Sequence, residues 1–365
     1  MIHRALVWAL VAAGLTAAVA ATTAPKWQDV LDTPAVKSPL APRALVNGIA
    51  RAGDRLVAVG QRGHVLLSDD QGKTWRQAEV PVSSDLVAVA FPTQTAGWAV
   101  GHDGIVLRST DAGASWTRVL DGRSAGAAMV AFYKHSAALA ADPSRAAGTA
   151  ADATKAAALV TEAERFAAQG AENPFLDVGF ESESTGYLVG AFGLIFRTTD
   201  GGARWQPLLH ATDNAKALHL YAVRAVAGEV YIVGEQGLLL KLDRAAGQFR
   251  AVELPYKGTL FGITGNGKAL IVHGLRGTVL RSTDAGRSWT TVDTGLQVGL
   301  TASAVDADGR LVIVSQAGHV LVSADDGASF KLARIDKPVP AAAVALVGKS
   351  SLVVGGPRGL AAQSL

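Results

Sequence analysis

The phrase Ser68-Asp-Asp-Gln-Gly-Lys-Thr-Trp75 decides the fold, because the chain repeats it. Further copies read Ser109-Thr-Asp-Ala-Gly-Ala-Ser-Trp116, Thr198-Thr-Asp-Gly-Gly-Ala-Arg-Trp205, Ser282-Thr-Asp-Ala-Gly-Arg-Ser-Trp289 and Ser323-Ala-Asp-Asp-Gly-Ala-Ser-Phe330. The shared pattern is Ser/Thr-x-Asp-x-Gly-x-x-aromatic. Each copy follows a short apolar run such as Val65-Leu66-Leu67, so each reads as a turn between two strands. The Asp (Asp70, Asp111, Asp200, Asp284 and Asp325) can accept hydrogen bonds from main-chain N–H groups across the turn. The Gly supplies a positive φ that other residues resist. The aromatic (Trp75, Trp116, Trp205, Trp289 and Phe330) opens the next strand with area to bury between units.

A second series of turns sets the count. They are Gly60-Gln-Arg-Gly63, Gly101-His-Asp-Gly104, Gly190-Ala-Phe-Gly193, Gly234-Glu-Gln-Gly237, Gly274-Leu-Arg-Gly277, Ser315-Gln-Ala-Gly318 and Gly356-Pro-Arg-Gly359. Their closing glycines are 41, 89, 44, 40, 41 and 41 residues apart. A constant period near 40 residues is the mark of a repeat architecture. Seven units of four strands predict an all-β, seven-bladed β-propeller over residues 25–365. Innermost strands are expected at 45–50, 86–91, 175–180, 221–226, 260–264, 301–305 and 342–346. Blade four carries a degenerate phrase, Leu242-Asp-Arg-Ala-Ala-Gly-Gln-Phe249. Blade seven ends too soon for an outer strand. Trp27-Gln-Asp-Val-Leu-Asp32 matches Trp116-Thr-Arg-Val-Leu-Asp121 in pattern, so residues 26–32 are predicted to supply that strand and close the ring.

The long interval holds an Ala-rich insertion, residues 122–172, between blades two and three. Asp152 is placed to cap a helix running to Gln169, with Gly170 as its stop. Leu159, Val160, Ala163, Phe166 and Ala167 form an apolar stripe along it. A shorter helix is expected at 127–141, ended by Asp142-Pro143. The pair reads as a helical hairpin that either packs on the propeller or docks a partner.

Arg4 precedes an apolar run from Ala5 to Ala21, with Ala18-Val-Ala20 as a small-residue cleavage site. Residues 1–24 are therefore expected to be a signal peptide of an exported, periplasmic protein. The sequence has no Cys, which excludes disulfides and a thioether-linked lipid. Removing 1–24 takes the net charge from +3 to +2, since Arg4 is its one charged side chain. A nearly balanced chain without a Lys/Arg run implies no nucleic-acid partner. No histidine set has metal-ligand spacing, and the paired glycines open no helix. No metal, no small-molecule cofactor and a monomer are the expectations.

In a propeller the turn after the second strand and the loop into the inner strand share one face. The repeated Asp turns open on the other. The residue before the closing Gly is, blade by blade, Arg62, Asp103, Phe192, Gln236, Arg276, Ala317 and Arg358. The arginines fall on blades five, seven and one, neighbours around the closed ring, and Arg43 and Arg224 are expected to join them. Arg offers a bidentate fork to carboxylates and is common at recognition surfaces. These five are the candidate partner-binding residues.

The repeated phrase is similar to the Asp-box, or BNR repeat, of sialidase-like propellers, where it is a structural turn. A sialidase-like glycoside hydrolase is the enzymatic alternative. That chemistry needs an arginine triad, a Tyr–Glu pair and an acid Asp. The Phe/Tyr-Arg-Ile-Pro motif is missing, and Glu181, Glu183, Glu229 and Glu235 form no acid/base pair on spacing. With Gly97-Trp-Ala-Val-Gly101, Gly186-Tyr-Leu-Val-Gly190 and Thr199-Asp-Gly-Gly-Ala-Arg-Trp205, the chain resembles the photosystem II stability and assembly factor family. That resemblance implies a non-catalytic scaffold that binds a membrane-protein or periplasmic partner through an arginine-rich patch. It implies a thylakoid-lumen-like address in a photosynthetic organism. Similar proteins of other bacteria imply instead a periplasmic accessory of a membrane exporter. Arg62, Arg276 and Arg358 match the patch in kind, while the helical insertion departs from the photosynthetic pattern.

Overall fold

In the computed structural model, residues 27–141 and 150–365 are described. The expected signal segment, 1–24, and the Asp142-Pro143 helix stop lie outside them. Seven antiparallel sheets follow one another in chain order, six of four strands and the last of three. The inner strands are Val46–Ala52, Leu86–Ala90, Phe175–Phe180, Leu220–Val226, Leu260–Gly265, Leu300–Val305 and Ala343–Val347. Successive inner strands adjoin, and the seventh adjoins the first, so the sheets close into a propeller around a channel. Second strands such as Gly97–Gly101 and Leu270–Gly274 are buried at every residue, because a neighbouring blade covers each side. Their near-continuous apolar sequence follows from that double burial.

The Asp turns work as staples. Asp70 accepts hydrogen bonds from the Ser68 hydroxyl (2.8 Å), the Thr74 N–H (2.9 Å) and the Thr74 hydroxyl (2.6 Å). Asp111, Asp284 and Asp325 repeat this set with Ser115, Ser288 and Ser329. Asp200 keeps the Thr198 hydroxyl but lacks the second one, because Arg204 occupies that place. The Thr74 hydroxyl and N–H hold the Asp70 carboxyl down to about 2, and those of Ser329 do the same for Asp325. The glycine of each turn then sits on the preceding blade. A Cβ on Gly202 would collide with the Trp98 ring, and one on Gly327 with Ile271. The aromatic indole closes the turn, with Trp116 Nε1 donating to the Gly113 carbonyl at 2.9 Å. Trp205 makes no such bond and stands edge-on to Trp98 at 5.5 Å instead. Blade four uses Asp243, which accepts from Ala245 N–H and Ala246 N–H, and buries Phe249 against Tyr187 of blade three.

Ring closure differs from the sequence expectation. No strand forms at 27–32; Val30–Asp32 is a 3₁₀ turn, and blade seven keeps three strands. Asp29 caps that turn by accepting the Leu31 N–H at 2.9 Å. Leu31 inserts between blades one and two, and Arg118 donates to its carbonyl at 2.6 Å. Trp27 is 78% exposed, whereas Trp116, its sequence match, is 5% exposed. The shared pattern therefore reflects no shared role. Two other contacts close the ring. On one face Gly359 abuts Pro42 and Arg43, as Gly63 abuts Val82 in the linker to blade two. On the other, Gly72 of the first Asp turn sits on Val353 of blade seven.

The insertion forms two helices, α1 (Gly122–Ala140) and α2 (Ala150–Gln169). Helix α1 starts earlier than expected because Asp121 and Ser124 make a capping box, each accepting the other's N–H at 3.0 Å. Helix α2 starts two residues before Asp152, which falls in its first turn and is not the cap. Gly170, at φ 67°, ends it as expected. Gly126 lets the helices cross closely, since a Cβ there would stand 2.7 Å from Ala167 Cα. Met129 and Tyr133 of α1 and Ala163 and Phe166 of α2 pack on Trp98, Phe175 and Phe196.

Two outcomes test this account. Leu31→Ala should lower the urea-unfolding free energy by about 2–4 kcal/mol, and Trp27→Ala should change it by under about 0.5. The folded pKa of Asp70 and Asp325 lies below the unfolded value, so their stabilisation is complete above ~4 and is lost as pH falls through about 2. The double variant Asp70→Asn/Asp325→Asn should melt below wild type at pH ~5, and the gap should close toward pH ~2.

Candidate functional site: the glycine-turn face and the channel

Five of the seven glycine turns are 3₁₀ turns that place their third residue in the left-handed region: Arg62, Asp103, Phe192, Gln236 and Arg276, with φ from 53° to 59°. The first glycine lies so close to the strand entering the blade that a Cβ on Gly101 would collide with the Asp85 carbonyl. This fixes the turn and leaves its third side chain facing outward. Blades six and seven depart from it. The Ser315 hydroxyl accepts the N–H groups of Ala317 and His319, and Arg358 lies in a two-residue hairpin loop.

Arg43, Arg62, Arg276 and Arg358 are all exposed, and none forms an ion pair among the described residues. Arg43 and Arg358 meet where blade seven joins blade one, because Gly359 abuts Arg43. Asp85 accepts the Arg62 main-chain N–H at 2.7 Å and leaves its guanidinium unpaired. Arg276 stands apart, since blade six, with Ala317, comes between blades five and seven. The sector is thus a group of three and one outlier.

Arg224 is not on this face. It projects from the inner strand of blade four into the channel and pairs with Asp177 of blade three. Asp177 also accepts the Val223 N–H at 2.8 Å. Burial pushes its carboxyl up, against the pull of Arg224. The channel holds cavities of 570 Å³ toward the glycine-turn face and 880 Å³ toward the Asp-turn face, and Arg224 stands at the waist between them, bordering both. His273 is buried beside it, with Nδ1 3.0 Å from the Leu300 carbonyl and Nε2 3.0 Å from the Ser303 hydroxyl. Burial lowers its pKa to about 4, so it stays neutral.

The sequence reading missed an aromatic run on blades three to five. Phe192 meets His219 edge-on at 4.7 Å, His219 meets Tyr221 at 6.4 Å, and Tyr221 meets Phe261 at 5.6 Å. The Phe192 N–H donates to His219 Nδ1 at 2.9 Å, which places the ring proton on Nε2. Arg165 of α2 lies 5.8 Å over Phe192, so the inserted arm borders this face. The signal was present, since Phe192 and Arg62 hold equivalent turn positions. The face is therefore divided, cationic across blades seven and one and aromatic across blades three to five.

Of the four carboxylates weighed for glycosidase chemistry, Glu183 is exposed and the other three are engaged elsewhere, Glu229 with Lys241. Glu181 accepts the Tyr187 hydroxyl and pairs with Arg244, and Glu235 accepts the His219 N–H. The Tyr231 hydroxyl donates to the Ala285 carbonyl. None of these joins Arg224 at the channel waist.

Arg224→Met should cost about 3 kcal/mol of stability, because it strands the buried Asp177 carboxylate. Adding Asp177→Asn should restore most of the loss in the same urea titration. An Arg224→Met protein as stable as wild type would overturn the structural role of the pair.

Against known proteins, residues 51–172 and 166–330 match the family model described as Photosynthesis system II assembly factor YCF48. A curated relative, the Photosystem II assembly lipoprotein Ycf48 of Synechococcus sp. (strain CC9902), is 29% identical over 160 residues, 42% of this chain and 47% of the relative. That match spans about half of the relative's length. Among solved structures, YCF48 bound to D1 peptide superposes with a TM-score of 0.60 at 17% identity, covering 88% of this chain and 94% of that one. YCF48 from Cyanidioschyzon merolae gives 0.59 at 17%, covering 90% and 97%. The WD40 propeller domain of Doa1 gives 0.58 at 11%, covering 91% and 95%, so the structural likeness itself marks the propeller fold. Matched across most of its blades, this chain belongs to the Photosynthesis system II assembly factor YCF48 family.

Proposed function

We propose that this chain is an exported, non-catalytic assembly scaffold whose glycine-turn face holds a segment of a membrane-protein partner in the periplasm or an equivalent lumen. The observation that carries the reading is the set of exposed arginines, Arg43, Arg62 and Arg358 with Arg276 beyond blade six, none of them in an ion pair among the described residues. A guanidinium without a partner in the free protein is free to take a carboxylate from another chain. Family membership supports the role, and a relative of the same fold has been solved with a D1 peptide. The carboxylates tied into Glu181–Arg244 and Asp177–Arg224 pairs support a scaffold over a hydrolase.

The test is co-purification from solubilised envelope membranes, with wild type and the variant Arg62→Glu/Arg276→Glu/Arg358→Glu. Partner recovery should fall at least about tenfold while the melting temperature stays put, because all three side chains are exposed. Undiminished recovery would sink the arginine face. Turnover of an aryl-glycoside panel by pure protein would sink the non-catalytic reading.

A further inference from the structure

We propose that the open edge of blade seven is a docking site for an extended, acidic segment of a partner chain, which adds there as the missing fourth strand. Among the described residues, six blades end in a fourth strand and blade seven does not. Its last strand, Gly359–Ser364, runs six residues, whereas the third strands of the other blades run four or five. The Leu365 N–H donates inward to the Ser350 carbonyl at 2.8 Å. Main-chain groups alternate along an antiparallel strand, so those of Leu360, Ala362 and Ser364 point outward. None of these three takes a main-chain partner beyond the sheet among the described residues.

Exposed edges are usually blunted by charge, proline or a bulge. This strand reads Gly-Leu-Ala-Ala-Gln-Ser and has none of them, and its register with Ser351–Gly356 is unbroken. An apolar side chain flanks it: Leu40, beside the Ala41–Arg43 turn that adjoins the edge, is 62% exposed.

Charge selects the occupant. Arg43 and Arg358 lie at one end of the strand, and Lys331, Arg334 and Lys337 lie in the segment that leads into blade seven, where Asp336 is the one carboxylate; among the described residues all five cations are exposed and without an ion pair. Gln363 Nε2 donates to the Lys337 carbonyl at 3.0 Å, which ties that cationic linker to the strand. A second copy of the chain would bring the same cations against these, so an acidic strand fits and a homodimer does not. Strand addition draws affinity from main-chain bonds and specificity from flanking side chains.

The experiment is amide hydrogen exchange on the full chain, with and without a synthetic peptide of alternating Glu and Val, and with its Lys-for-Glu counterpart. In the free protein the Ala362 and Ser364 amides should exchange fast. The acidic peptide should slow them at least about tenfold, and the basic one should not. Ala362→Pro should abolish binding without a change in melting temperature, because the N–H it removes points outward. Leu40→Glu should weaken binding about tenfold and keep the test alive if the proline variant is unstable. Protection in the free protein would overturn the proposal, with sedimentation telling a second copy from the chain's own residues. So would acidic peptide that leaves the amides fast, or binding that Ala362→Pro does not disturb.

Discussion

The propeller depends on one constraint, that the glycine of each Asp turn sits against the blade before it, at three of the five joints with no room for a side chain. Gly72, Gly202 and Gly327 each meet a neighbour so closely that a methyl group would collide with it. The carboxylate sets up that contact. By accepting bonds from a hydroxyl and from N–H groups across the turn, it holds the backbone in the left-handed bend that only glycine adopts cheaply. The aromatic that follows then covers the joint. Order in the ring therefore comes from many identical local decisions, each readable within eight residues.

That locality explains what was legible. The inner strands fall within two residues of their expected places because a fixed period carries register from blade to blade. What failed was non-local or depended on side-chain choice. Trp27-Gln-Asp-Val-Leu-Asp32 copies the pattern of a strand, but Asp29 caps a 3₁₀ turn there and Leu31 finds a gap between blades one and two. The capping box at Asp121 and Ser124 moved a helix start by a full turn, on a signal of two residues. Arg224 shows the limit for the candidate site. Its position in an inner strand was visible, yet nothing local announced that Asp177 of another blade would hold it in the channel.

The two faces are not equivalent, and the reason is mechanical. In the Asp turns the carboxylate, the glycine and the aromatic are committed to joining blades. On the other face the glycines do the structural work from within the backbone, and the third turn residue is left outward and free to differ. The same left-handed position carries Arg62 in blade one, Phe192 in blade three and Arg276 in blade five. A cationic half and an aromatic half can thus be written on one rigid face at little cost to stability.

Blade seven follows from the same logic. Among the described residues its joint with blade six is made by Ala333, Ile335 and Val339 from the linker, packed with Ala361 and Leu365. The ring still closes, because the staple that joins blades seven and one is supplied by Gly72 of blade one. Closure and completion of the last sheet are therefore separate problems in this fold. A fourth strand on blade seven would add no joint that the ring lacks. Its absence leaves a straight, uncharged edge beside a cluster of cations, a feature that the stability of the propeller neither requires nor removes.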